Sequence, residues 1–138
     1  MDTEILRLMN QYIFIGVVST VDGKSGTAKV TRPDMDEKVS ASLYVLQRGT
    51  KATKEYWMPA VGDQVLCVLL PNTTGKGPSR GCIVGAIYSA KDAPVESNPD
   101  ARSTVWPDGS FVKYDGSGNI SINAAGSITL TAPRIDIN

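Results

Sequence analysis

The chain contains no histidine. Histidine is the commonest general base and the commonest metal ligand, so its absence removes the simplest routes to acid–base catalysis and to a metal centre. Cysteine is nearly absent too. Cys67 and Cys82 are the whole supply, too few for a disulfide framework or a zinc site. Both fall inside apolar runs, Val65-Leu66-Cys67-Val68-Leu69-Leu70 and Gly81-Cys82-Ile83-Val84-Gly85, where cysteine reads as a small buried hydrophobe. Net charge is absent, with 14 Lys and Arg against 14 Asp and Glu. That argues against a nucleic-acid binder working by phosphate neutralisation. Aromatics are sparse at 7%, with no alternating basic and aromatic stripe of the kind single-strand binders use. No apolar run reaches the roughly 20 residues that span a bilayer. The start, Met1-Asp2-Thr3-Glu4, lacks the basic character of a secretory signal, so synthesis and assembly in a cytoplasm are expected. We assign no catalytic, cofactor-binding or metal-binding residue from the sequence and expect a protein that is not an enzyme.

What the chain does have is a repeat. Ser110-Phe111-Val112-Lys113-Tyr114-Asp115-Gly116-Ser117 aligns with Gly118-Asn119-Ile120-Ser121-Ile122-Asn123-Ala124-Ala125, and both align with Gly126-Ser127-Ile128-Thr129-Leu130-Thr131-Ala132-Pro133. The third place of each octad is Val112, Ile120 or Ile128, and the fifth is Tyr114, Ile122 or Leu130. Two apolar side chains separated by one polar residue make a short strand with one dry face. A fixed period of strand plus turn marks a stacked or wound β-structure. Strands this short cannot bury an apolar row alone, so the repeat predicts a partner surface, most simply another copy of itself.

Ahead of the repeat the pattern is that of a barrel. Residues 1–12 read as a short helix capped by Asp2 or Thr3, with Ile5, Leu8, Met9 and Tyr12 at helical spacing. Strands are expected at 13–21, 27–31, 39–46, 65–70 and 82–88, with Val39, Ala41, Leu43 and Val45 sharing a face of the third. The last two are dense enough in apolar residues to be buried on both faces. Five strands in about 75 residues suit a small closed barrel of the OB type, spanning 13–90. Residues 91–105, with Pro94 and Pro99, read as a linker, and 106–138 as the repeat domain.

Three local patterns have plainer explanations than chemistry. Gly75-Lys76-Gly77-Pro78-Ser79-Arg80-Gly81 lacks the spacing and the following helix of a phosphate loop. Asp34, Asp36 and Glu37 cluster in a turn beside Pro33, where they read as solvated turn charges and nothing predicts the desolvation a catalytic acid needs. Arg48, Lys51 and Lys54 precede Tyr56-Trp57-Met58-Pro59 in a long connection, where Trp57 and Pro59 read as an anchor on the barrel end.

The chain resembles the baseplate assembly protein V family, the central spikes of contractile phage tails, related to R-type bacteriocin spikes and VgrG spikes. The matching segments are Ile15-Gly16-Val17-Val18-Ser19-Thr20-Val21-Asp22, Trp57-Met58-Pro59-Ala60-Val61-Gly62-Asp63-Gln64-Val65-Leu66, Gly81-Cys82-Ile83-Val84-Gly85-Ala86-Ile87-Tyr88, and Asp108-Gly109-Ser110 with the octads. The resemblance implies an all-β chain, an OB-fold barrel followed by a β-helix of three intertwined chains, and hence a homotrimer. Val112, Ile120, Ile122, Ile128, Leu130, Ile135 and Ile137 would form the trimer core, with Tyr114 at the wide upper end. It implies a virion or tail-like particle, a baseplate hub and tail tube as partners, and transient contact with a target cell envelope. Ile5, Leu8, Met9, Arg48, Lys51 and Lys54 are candidates for the hub or tube contact, and Trp57, Pro59 and Gly62 for the barrel anchor. The chain carries no lysozyme domain and no histidine-held metal tip, so a separate PAAR-like tip protein is expected to dock at Ile137 and Asn138. A different class remains open: an OB-fold module for single-stranded nucleic acid or glycan, trimerised by its tail.

Overall fold

The computed structural model describes residues 2–74 and 78–138. The loop stretch Gly75-Lys76-Gly77 discussed above lies outside the described residues. The chain divides into two compact units, Met1–Asp92 and Ala93–Asn138.

The first unit opens with helix α1, Thr3–Tyr12. Asp2 caps it, its carboxylate accepting the Glu4 N–H at 3.0 Å, and Glu4 sits in the first turn where negative charge suits the helix dipole. No residue of α1 is buried. The strands that follow are β1 Ile13–Asp22, β2 Thr27–Arg32, β3 Lys38–Val39, β4 Leu43–Val45, β5 Gln64–Pro71 and β6 Pro78–Ile87. Their order is β1-β5-β6-β4-β2, and β2 pairs again with β1, so five strands close into an OB-like barrel among the described residues. Neighbours run antiparallel except β4 and β6, which are parallel, with Tyr44 opposite Cys82. Closure gives each of these strands a neighbour on both sides.

The core follows from strand alternation. Phe14 and Val18 of β1, Ala28 and Val30 of β2, Leu43 and Val45 of β4, Val65 and Cys67 of β5, and Ile83 of β6 all point inward and are buried. Trp57, Met58 and Leu69 pack against this cluster. The Cys67 thiol is pushed up to about 11 by burial, so it stays protonated and inert at neutral pH.

Two expectations for the barrel need correction. The third strand does not run unbroken through 39–46. It splits into β3 and β4, and Val39 and Ala41 are exposed while Leu43 and Val45 are buried. Ser40 causes the break: its hydroxyl accepts the Val30 N–H at 3.0 Å and donates to Ala41 O at 2.7 Å, so a side chain takes over ladder positions. The last two strands are also not buried on both faces. β5 alternates, with Leu66 and Val68 only half-buried, and Val84 and Ile87 of β6 are exposed.

The second unit holds β7 Arg102–Val105, β8 Phe111–Tyr114 and β9 Ile120–Asn123, an antiparallel meander in the order β7-β8-β9. The segment 91–105, expected as a linker, therefore ends in a strand. Its upstream half is also held: Glu96 pairs with Lys113 at 3.0 Å, the Asn98 amide donates to Asp115 O at 3.4 Å, and Ala101 is buried. Proline and polar residues here shape a packed loop rather than a free tether.

Candidate functional site: the exposed aliphatic row of the tail

The first two octads fold back on each other around Asp115-Gly116-Ser117-Gly118. Asp115 organises this turn. One carboxylate oxygen accepts Ser117 N–H at 2.6 Å, and the other accepts the Asn119 side-chain amide at 2.6 Å. These bonds, led by the one from the Asn119 side chain, hold the Asp115 carboxyl below its ordinary range. Gly116 has φ +87°, and a Cβ there would come within 2.7 Å of the Asn98 amide nitrogen, so glycine is required on both counts. Asp108 plays the same part at the preceding turn, accepting Ser110 N–H at 2.9 Å.

This turn geometry fixes the register: Val112 opposite Ile122, and Tyr114 opposite Ile120. Directly opposed residues in an antiparallel pair share a face. The third- and fifth-place residues of two octads thus make one contiguous apolar patch, which is exposed among the described residues. Ile120 is 73% exposed and Ile122 61%. Phe111 and Lys113, on the other face of β8, are half-buried. Residues 124–138 contain no strand, and their aliphatic side chains are exposed. Leu130 is 70% exposed and Ile137 88%, with Ile128 and Ile135 also exposed. All seven residues expected in a trimer core are therefore solvent-facing in the single chain.

The other candidates lie in the barrel unit. Ile5, Leu8 and Met9 are exposed along α1. In the connection after β4, Arg48 pairs loosely with Glu55 at 3.4 Å, and Lys51 and Lys54 are exposed. The anchor residues sit further along. Trp57 packs on the core and donates its indole N–H to Leu46 O at 2.8 Å. Pro59 is buried. Gly62, at φ +98°, turns the chain so that its N–H reaches Val18 O at 2.9 Å. Sequence reasoning missed Gln47, whose amide accepts Trp57 N–H at 3.0 Å and donates to Trp57 O at 2.8 Å. A lone glutamine gives no periodic signal; only its place before the connection could have suggested a clamp.

An open groove of about 1010 Å³ also lies at the barrel mouth, lined in part by Arg7, Phe14, Arg32, Lys38, Tyr44 and Arg80. Its central cation is already engaged. Arg32 is buried, stacks 3.8 Å from the Phe14 ring centroid, pairs with Asp34 at 3.0 Å and donates to Asn10 O at 2.7 Å. The Arg32 hydrogen bond holds the Asp34 carboxyl below its ordinary range, the opposite of what a general acid needs. Among the described residues no group of acidic, cysteine or histidine side chains is placed to hold a metal ion, and no helix is long and apolar enough to cross a membrane.

The chain matches no protein-family profile and no curated protein sequence.

Proposed function

We propose that this chain is the structural central spike of a contractile phage tail or tail-like particle, acting as a homotrimer through its tail. The observation that carries the reading is the exposed set of aliphatic residues at Val112, Ile120, Ile122, Ile128, Leu130, Ile135 and Ile137, of which the first three lie in strand register. Soluble chains rarely leave such a row open unless a partner covers it. A copy of the same row is the simplest complement, and three copies wound around a common axis would give every aliphatic side chain a dry environment. Each buried pair would then contribute ~2–4 kcal/mol per chain as an upper bound from area.

The mechanism is mechanical. Sheath contraction drives the tube, and the wound tail leads it through the target envelope. A rod under axial load resists unfolding when no strand can leave without breaking contacts to both neighbours. Residues 124–138, strandless in the single chain, are the part that trimerisation would order. The OB-like barrel faces the hub and tube, with α1 and the connection bearing Arg48, Lys51 and Lys54 as the contact. Ile137 and Asn138 would receive a PAAR-like tip. Assembly takes place in the bacterial cytoplasm, and the product resides in the baseplate.

Electrophoresis in SDS without heating tests this reading. The spike should migrate as a trimer and convert to monomer on boiling. A chain that runs as monomer under all conditions, yet binds single-stranded DNA or glycan with steep salt dependence, would point instead to a ligand-binding OB module.

A further inference from the structure

The barrel wall has one short seam. β4 and β6 pair only at Tyr44 with Cys82 and Val45 with Ile83. Continued backward, that parallel register would set Leu43 against Gly81 and Ser42 against Arg80, but the ladder stops. β6 itself runs back to Pro78, paired on its other side with β5. The missing partners are drawn elsewhere. Ser40 turns to β2, its N–H donating to Val30 O at 2.8 Å and its hydroxyl accepting the Val30 N–H at 3.0 Å. Ala41 and Ser42 belong to no strand. The groove of about 1010 Å³ follows this seam, lined by Ala41 and Ser42 from one side and by Arg80 and Gly81 from the other.

We infer that this seam takes an extended acidic segment of another protein as an added strand, its backbone pairing along β6 ahead of Cys82 and its carboxylates meeting Lys38 and Arg80. An unfilled stretch of strand edge is what an extended peptide completes with main-chain hydrogen bonds. Charge names the peptide. Arg7, Arg32, Lys38 and Arg80 line the groove, against the carboxylate of Asp34. Arg7 is paired with Glu4 and Arg32 with Asp34. Lys38 and Arg80 are exposed and make no ion pair among the described residues. The same two cations discourage a second copy of this edge from pairing here, as charge on an edge strand does. A nucleic-acid strand would need successive stacking platforms. Tyr44 is exposed, but Phe14 is buried beneath Arg32.

The inference needs no trimer, so it stands or falls apart from the spike reading. The test uses the full chain and a fluorescein-labelled peptide of alternating glutamate and valine, about eight residues long to match an ordinary strand. Binding is read by fluorescence anisotropy at neutral pH. The expected result is saturable binding that weakens at least about tenfold in a chain carrying Lys38→Glu and Arg80→Glu. Binding should weaken about as much when the valine amides of the peptide are N-methylated, which removes backbone donors and keeps the charge. Both cations are exposed, so the variant should keep its thermal transition; the milder pair Lys38→Gln and Arg80→Gln repeats the reading if it does not. No saturation up to about 1 mM peptide overturns the inference. So does equal binding by the charge-reversed chain, by the N-methylated peptide or by a lysine–valine peptide. Tighter binding of oligothymidylate than of the acidic peptide also overturns it, in favour of nucleic acid. A monomeric chain that binds the acidic peptide as expected would remove the spike reading and keep this one; a trimer that ignores the peptide would do the reverse.

Discussion

The two units of this molecule use the same alternation of apolar and polar residues to opposite ends. In the barrel, Val30, Val65, Cys67 and Ile83 are fully buried, because closure of β1, β2, β4, β5 and β6 gives every inward side chain a neighbour. In the tail, Val112, Ile120 and Ile122 obey the same rule, but the face they share is exposed. Alternation specifies which face is dry; topology decides whether one chain can supply the dryness. The barrel buries its apolar face within one chain, and the tail leaves its own exposed.

The sharpest way to break this contrast is Ile128→Asp. A carboxylate on the shared axis would be buried three times over without a partner, so the trimer should be lost entirely, as read by sedimentation. The barrel should keep its thermal transition. An unchanged trimer would mean that the inward set is misassigned. Ile83→Ala is the converse experiment. It should cost the barrel about 2–5 kcal/mol in denaturant unfolding while leaving the oligomeric state alone. Loss of the trimer in that variant would show that the units are not independent.

Gly116→Ala acts within the tail of each chain. A non-glycine residue at φ +87°, crowded by Asn98, should cost about 1–3 kcal/mol, seen as faster amide exchange across β8 and β9. Acid has the smallest effect. Asp115 and Asp108 have carboxyls lowered by their turn hydrogen bonds, Asp115 foremost through Asn119 and Asp108 through Ser110 N–H. Their contribution is complete above the ordinary carboxylate pKa of about 4 and fades as pH falls through the lowered values. Both groups are solvent-exposed, so the tail should loosen only slightly below about pH 3. Asp115→Asn should flatten that dependence.

Much of the fold is legible in the residues. Asp2 and Glu4 announce α1, the octads place β8 and β9, and the apolar runs around Cys67 and Cys82 locate β5 and β6. Two of the failures come from side-chain contacts that composition does not announce. Ser40 splits the third barrel strand, and Glu96 and Asn98 draw a loop onto the tail that composition alone marks as a tether. The double-sided apolar character of β5 and β6 is a signal of a different kind. It is present in the sequence, but the outer residues of β5 and β6 are half-buried or exposed. Among the candidate residues, Ile128, Leu130, Ile135 and Ile137 are legible as a row, but the third octad forms no strand by itself, because no described residue pairs with it.

Molar mass in dilute solution by light scattering tests the central claim most directly. Self-complementary tails give a particle of three times 14.7 kDa, unchanged on dilution. A particle of 14.7 kDa, with the residues after Asn123 mobile by NMR, would contradict it.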